Sequence, residues 1–139
     1  RQMCIRDRLT ATWEAAKAKE PSAELYECTA PEGVKYVHSV FRGTNNTTLM
    51  CNAYADGKVT DVASFESPWC EDVVIHMPVK LTLEEANELL SEAGYKADWY
   101  QVVLRNPLGP TNSNPEYIYS YHDGANIAVD TFTKEVTPL

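Results

Sequence analysis

The feature that most constrains this chain is a pattern of one helix followed by paired strands, which the sequence contains twice. Helical stretches over residues 9–19 and 83–93 each precede a strand region in which a tyrosine, a serine and a glycine recur at the same spacing. These positions are Tyr36, Ser39 and Gly43 in the first copy and Tyr117, Ser120 and Gly124 in the second. They specify a backbone and include no matched acid, base, nucleophile or ligand, so the repeat predicts a fold rather than an activity.

The size of the chain agrees with two small units that share one core. A chain of 139 residues is about one domain and can bury enough surface to fold without disulfides. We therefore predict an α+β domain of two helix-plus-antiparallel-sheet units, residues 9–70 and 71–139. The 12 basic and 20 acidic residues give a net charge of −8, which opposes binding to phosphate backbones. Nucleic acid and anionic membranes are therefore not expected partners.

The first eight residues are expected to lie outside the fold. The segment from Gln2 to Arg8 resembles the translated sequencing-linker peptide that recurs at the ends of metagenomic reading frames, and it has no apolar periodicity. The true start would then be missing, together with any signal peptide or lipid-anchor cysteine. Elsewhere no apolar run approaches the roughly 20 residues of a membrane-spanning helix, so no transmembrane segment is predicted.

The helix of the second unit has the clearest local signals. Thr82 and Glu85 form a capping box, in which each side chain accepts a hydrogen bond from the backbone amide of the other residue. Gly94 can adopt the left-handed conformation that ends a helix. The apolar face predicted to cover a sheet consists of Leu83, Ala86, Leu89, Leu90 and Ala93.

Alternating apolar and branched residues predict the strands. In the first unit they cover residues 24–29, 34–41, 47–55 and 58–65, and in the second residues 99–104, 117–121 and 125–129 with a last short strand after a turn at 130–134. A further strand over 73–77 is expected to connect the units. Asp56 and Gly57 predict a type I′ hairpin turn, which needs positive φ at both central positions.

Three stretches of the second unit resemble the PepSY family: the run LTLEEANELLSEAG from Leu81 to Gly94, the strand at Trp99, and IAVDTFTKEV from Ile127 to Val136. Tandem PepSY-like copies share an architecture with beta-lactamase inhibitor protein. Lys134 stands where the family usually has glycine. The resemblance implies a noncatalytic module that is secreted, periplasmic or lipid-anchored and that binds or restrains a protein partner, often a hydrolase. A purely structural module of a larger envelope protein is the alternative.

The cysteines give no sign of a metal or redox site. Cys28, Cys51 and Cys70 lie 23 and 19 residues apart without a Cys-x-x-Cys motif. The hairpin register places Cys51 opposite Val62, and Cys28, on the first strand, should be separated from Cys51 by the strand between them. That separation is about 9 to 10 Å, which is beyond the reach of a disulfide. Buried free thiols are the simplest reading, and Cys28 with Cys70 is the pair left open.

An enzymatic alternative rests on a cysteine and a histidine. His38, His76 and His122 occur singly, without a metal-binding motif. Cys51 and His38 on neighbouring strands are the one nucleophile-and-base pair worth considering, and they would make the protein a small cysteine-dependent enzyme. No orienting third group is visible, and no catalytic residue, cofactor or metal is predicted.

Two groups of residues are candidates for binding a partner. Tyr117, Tyr119 and Tyr121 alternate and so share one face of a strand, where they form an interface or pack beneath the helix. The second group is the loop over residues 106–115, which three prolines stiffen. Arg105, Asn106 and Leu108 are its expected contacts with a protein partner.

Overall fold

The computed structural model describes residues 4–69, 72–108 and 114–139, and over these residues the protein has an α+β fold. Two helices, α1 (Ile5–Lys19) and α2 (Leu83–Glu92), accompany one antiparallel sheet of eight strands. This architecture confirms the predicted fold class. Within the described ranges, no helix is long and apolar enough to cross a membrane.

The eight strands form one continuous sheet. In chain order they are β1 (Glu24–Pro31), β2 (Tyr36–Arg42), β3 (Thr48–Tyr54), β4 (Ala63–Phe65), β5 (Gln101–Arg105), β6 (Glu116–Ser120), β7 (Asn126–Asp130) and β8 (Val136–Pro138). Their order across the sheet is β4-β3-β2-β1-β5-β6-β7-β8. The two edge strands, β4 and β8, have three residues each.

Each half of the chain contributes one helix and four strands in the same succession. The first strands of the two halves, β1 and β5, meet at the centre of the sheet as an antiparallel pair. The boundary predicted between the units falls at residues 70 and 71, outside the described residues, and it stays a prediction. The strand predicted over 73–77 is wrong. This segment crosses from the end of β5 to the start of β1, so it makes only the single pairs Asp72–Pro107 and Leu25–Ile75.

Helix α2 has the predicted start and the predicted buried face. The hydroxyl of Thr82 accepts the amide of Glu85 at 3.2 Å, and the carboxylate of Glu85 accepts the amide of Thr82 at 2.9 Å. Gly94 follows the helix with φ +92°. Leu83, Ala86 and Leu90 are buried, Leu89 is half-buried and Ala93 is exposed. The apolar face is therefore narrower at its C-terminal end than the spacing predicts.

Helix α1 begins earlier than expected. It starts at Ile5, so residues 5–8 belong to the first turns of the helix and do not lie outside the fold. Arg8 is buried and its guanidinium donates to the carbonyl oxygen of Val34. The predicted foreign origin of the segment stays a prediction. The prediction that it contributes nothing to the fold is corrected, because helical hydrogen bonding extends through it and Arg8 makes a tertiary contact.

The hairpin between β3 and Val59 has a different turn from the predicted type I′. Gly57 has φ +95°, but Asp56 is not among the described residues with positive φ. The amide of Gly57 donates to the carbonyl oxygen of Tyr54 at 3.0 Å, and the amide of Tyr54 donates to the carbonyl oxygen of Lys58 at 2.8 Å. These bonds define a three-residue loop in which Gly57 alone supplies the left-handed residue.

The turn between β7 and β8 forces a lysine into the left-handed region. Lys134 has φ +66°, and its amide donates to the carbonyl oxygen of Asp130 at 3.0 Å. The carboxylate of Asp130 fixes the same turn by accepting the amides of Phe132 and Thr133 at 2.7 and 2.9 Å. A residue with a Cβ atom costs free energy in this conformation, whereas glycine does not.

We expect Lys134→Gly to raise the free energy of unfolding by about 0.5–1 kcal/mol, because relief of the left-handed strain outweighs the extra freedom of glycine in the unfolded chain. Urea unfolding measures the change. Lys134→Ala is the matched control, since it removes the same charge and side chain but keeps Cβ, and it should leave stability within a few tenths of a kcal/mol. Equal effects of the two variants would show that backbone strain at this position is not the cause.

Candidate binding surface

Both helices pack on the same face of the sheet. The hydroxyls of Thr12 in α1 and Ser39 in β2 are 2.8 Å apart, and the hydroxyl of Tyr119 in β6 donates to Oδ1 of Asn87 in α2 at 2.6 Å. The strand pairing from β2 through β1 and β5 to β6 places Ser39 and Tyr119 on one face. Over the described residues, the opposite face has no helix packed against it, and we call it the uncovered face.

The uncovered face carries apolar side chains where a solvated face is ordinarily polar. Val103, Ile118 and Ala128 lie directly opposite one another on β5, β6 and β7. Val40 and Met50 form a second apolar pair on β2 and β3, but Val40, like Ala128, is only 1% exposed, so the accessible apolar side chains of this face are Val103, Ile118 and Met50. The face also includes Glu27, Thr29, Tyr36, His38, Asn52, Tyr54, Gln101, Arg105, Glu116, Ser120 and Asp130, as strand alternation and pairing require.

Aromatic rings flank this apolar centre on one side. Tyr36 and Tyr54 pair directly on β2 and β3, and their ring centroids are 5.7 Å apart. Both side chains are half-buried, so part of each ring remains in contact with solvent. Tyrosine combines apolar area with a polar tip and is enriched at protein interfaces. The pair therefore extends the surface that a partner could contact.

Two carboxylates face each other on the opposite side of the centre. Glu116 on β6 and Asp130 on β7 are directly paired. Burial and the neighbouring Asp130 raise the pKa of Glu116. Burial alone would raise the pKa of Asp130 as well, but hydrogen bonds from the backbone of Thr133 and Phe132 outweigh it and lower that pKa. Like charges in opposed positions are unfavourable, so this pair would gain from a nearby cation.

Arg105 was predicted to contact a protein partner. In the structure it binds Asp72, in the chain segment that joins the two units. Its Nε donates to Oδ1 of Asp72 at 2.7 Å, and the Asp72 side chain is completely buried. The other carboxylate oxygen, Oδ2, accepts the indole Nε1–H of Trp69 at 3.1 Å. Most of the Arg105 side chain is buried, so its main visible role is to neutralise Asp72 beside the uncovered face.

The predicted binding loop is only partly within the described residues. Asn106 is buried, so its side chain offers little surface for a partner. Its backbone carbonyl oxygen accepts a hydrogen bond from the amide of Val73 at 2.8 Å. Leu108 is 60% exposed and can contact a partner. Residues 109–113 of the loop lie outside the described residues, and the loop as a whole stays a prediction.

The predicted tyrosine surface packs beneath α2. Tyr117 and Tyr119 are buried, and the hydroxyl of Tyr117 donates to the carbonyl oxygen of Leu81 at 2.6 Å. Tyr121 is half-buried and its hydroxyl donates to the carbonyl oxygen of Lys96 at 2.8 Å. Of the two interpretations of this alternation, the structure selects core packing. Tyr117 and Tyr119 are therefore removed as binding candidates, because α2 covers the face that they occupy.

The thiols lie where the strand register predicts. Cys28 and Cys51 are both opposite Ser39, from β1 and β3, so one strand separates them and both are free. Burial raises the pKa of Cys28 to about 11 and also raises that of Cys51. Both thiols are therefore protonated and poorly nucleophilic at neutral pH. The pair left open, Cys28 with Cys70, stays a prediction, since Cys70 lies outside the described residues.

The proposed catalytic dyad is wrong. His38 is opposite Asn52, and its Nδ1 lies 2.5 Å from Oδ1 of that residue. Cys51 is the neighbour of Asn52 along β3, so its side chain points to the helix-covered face while His38 points to the uncovered face. Alternation along the strand keeps the two groups apart. In the described ranges, no group of three or more metal-binding side chains is present.

Sequence reasoning missed the uncovered face, although the strands contain a signal for it. β5, β6 and β7 each contain three consecutive residues with apolar or aromatic side chains, such as Val102 to Leu104 and Ile127 to Val129. A strand with one solvated face alternates, whereas such runs indicate apolar side chains on both faces. Because both helices lie on one face, the second set of apolar residues has no helix to cover it.

Comparison with known proteins supports the fold. No family model matches the chain, and no curated protein matches its sequence. One similar solved structure is that of a protein from Clostridium difficile 630 that is provisionally described as a lipoprotein. The two chains share 14% sequence identity and a TM-score of 0.61, and the match covers 94% of this chain and 90% of the other. The resemblance to PepSY therefore remains a resemblance in sequence motifs.

Proposed function

We propose that this protein is a noncatalytic module that acts outside the cytoplasm and binds a protein partner through the uncovered face. The observation that carries the proposal is the placement of both helices on one side of an eight-stranded sheet. The helices cover the apolar residues of one face, whereas Val103 and Ile118 on the other face are only half-buried and remain accessible to another molecule. The resemblance to PepSY favours a hydrolase as the partner and inhibition as the effect of binding.

The apolar centre supports a protein rather than a small polar ligand. Val103 and Ile118 are half-buried and directly paired on β5 and β6, where neighbouring strands lie about 4.8 Å apart, so the accessible apolar patch follows the sheet across two strands. Contiguous apolar area rimmed by polar residues is typical of protein interfaces. The surrounding tyrosines, amides and hydroxyls supply such a rim.

The charges of the uncovered face favour a partner that places a basic residue beside Glu116 and Asp130. Arg105 lies directly opposite Glu116 on β5 and also binds Asp72, while Arg42 pairs with Glu24. A lysine or arginine of the partner placed between these carboxylates would relieve their repulsion. Complementary charge of this kind mainly improves specificity and the rate of association.

The position outside the cytoplasm rests on two observations. The similar solved structure is provisionally described as a lipoprotein, and the motifs from Leu81 to Val136 resemble an exported family. The chemistry of the thiols supports a noncatalytic role, because Cys28 and Cys51 have raised pKa values and His38 lies on the opposite face of the sheet from Cys51. These observations favour binding over the cysteine-dependent alternative.

Selection of binders from a displayed peptide library against the immobilised protein tests the surface. We expect the dominant binders to contain lysine or arginine beside an apolar residue and to lose at least about tenfold in affinity, or 1.4 kcal/mol, against Ile118→Asp. Glu116→Gln should weaken the same binders while changing the stability of the free protein by less than about 1 kcal/mol, because it removes both the repulsion from Asp130 on β7 and the attraction to Arg105 on β5.

Two control variants show whether the loss of peptide binding is specific to the uncovered face. Glu88→Gln makes the same chemical change as Glu116→Gln at an exposed position of α2, and it should not alter binding. Leu108→Ala tests the exposed position of the predicted loop. Binders that respond to Leu108→Ala and not to Ile118→Asp would place the interface on the loop and overturn the proposed surface.

A further inference from the structure

A cavity of about 110 Å³ lies between the two helices on the opposite side of the sheet from the proposed interface. Ile5 and Leu9 of α1 form one wall, and the segment from Met77 to Leu83 forms another. The floor consists of sheet residues that face the helices, including Ala30, Val102 and Leu104. Ile5, Leu9 and Val79 are half-buried and Pro78 is exposed, so the cavity opens at the surface between the helices.

Apart from Arg6, whose side chain is 70% exposed, the polar side chains that line this cavity already have hydrogen-bond partners. The hydroxyl of Tyr117 donates to the carbonyl oxygen of Leu81. The hydroxyl of Thr10 donates to the carbonyl oxygen of Arg6, and that of Thr82 accepts a hydrogen bond from the amide of Glu85. The thiol of Cys28 accepts the hydroxyl of Ser39 at 3.6 Å. Within the described residues, the buried side-chain atom without a partner is Oδ1 of Asn106, which is not part of the lining. The walls therefore offer a water molecule few partners.

We propose that this cavity is a binding site for a small apolar molecule, namely a single aromatic ring or a short aliphatic chain. Water needs two to four polar partners to occupy a buried site, and an apolar cavity of about 150 Å³ in another protein stays dry and binds benzene or xenon. The present cavity is of similar size and has an opening through which a ligand can enter. The site is separate from the uncovered face and does not depend on the proposed function.

Titration of the full chain with benzene, followed by methyl NMR of its leucines and valines, tests the proposal. We expect saturable shifts at Val102 and Leu104 and a concentration-dependent rise in melting temperature. Ala30→Leu fills the cavity from the floor and should weaken benzene binding at least about tenfold. Ala97→Leu makes the same change at an exposed position and should bind benzene as the wild type does.

A second variant keeps the test decisive if Ala30→Leu does not fold. Val102→Ile adds one methyl group to the same floor and should weaken binding in the same direction with little strain. Shifts that remain linear in benzene concentration, or that spread over exposed methyl groups, would indicate nonspecific partitioning and overturn the proposal. Saturable binding that both filling variants leave unchanged would also overturn it, because the ligand would then occupy another place.

Discussion

Arg105→Ala should lower the free energy of unfolding by about 3–5 kcal/mol, because it leaves the buried carboxylate of Asp72 without its cation. The Asp72 side chain has no exposure, and the remaining hydrogen bond from Trp69 cannot balance a full charge. The pair also anchors the segment that joins the two halves of the chain, so its loss should loosen the start of that segment. Urea unfolding gives the free energy, and hydrogen exchange at Val73 and Ile75 reports the loosening.

The Arg42–Glu24 pair provides the matched control. Its side chains are 38% and 39% exposed, and exposed ion pairs contribute about 0–1 kcal/mol. Arg42→Ala should therefore cost at most about 1 kcal/mol in the same experiment. If the two arginine variants were equally mild, Asp72 would have to be neutralised by another group, and the anchoring role of Arg105 would be wrong.

Leu90→Ala should cost about 2–5 kcal/mol, because it leaves a cavity where α2 packs on the sheet. Leu90 is 2% exposed and belongs to the main core, together with Tyr119 and Ile127 of the sheet below. Thermal and urea unfolding of the purified variant measure the loss. Far-ultraviolet circular dichroism should remain close to that of the wild type below the transition.

Leu89→Ala is the internal control for that result. Leu89 is the next residue along α2 and is only half-buried, so the same truncation removes less packed area there. We expect a loss clearly smaller than that of Leu90→Ala. A reversed order would mean that α2 is rotated about its axis relative to the structure described above.

Local signals predicted most of the secondary structure. The capping box at Thr82 fixed the first residue of α2, because both of its hydrogen bonds form within one turn of the chain. The succession of β1, β2 and β3 as a meander placed β2 between Cys28 and Cys51, since strands joined by short connections pair with their neighbours in the chain. These features depend on residues close in sequence, which is why the sequence alone was sufficient.

Features that depend on distant residues were not predictable in the same way. Arg105 and Asp72 are 33 residues apart and no pattern links them. Alternation showed that Tyr117, Tyr119 and Tyr121 share a face, but it carries no information on which side of the sheet α2 would pack. The length of α1 was also missed, because residues 5–8 lack apolar periodicity and Arg8 bonds to the carbonyl oxygen of Val34, 26 residues away in the sequence.

The two short edge strands have a consequence for how this protein behaves at high concentration. An unpaired strand edge is a template on which further chains can assemble into extended fibres. Here each end of the sheet offers a strand of three residues, and in β8 one of them is Pro138, which has no amide hydrogen to donate. The two ends of the sheet should therefore resist polymerisation even when the protein is concentrated.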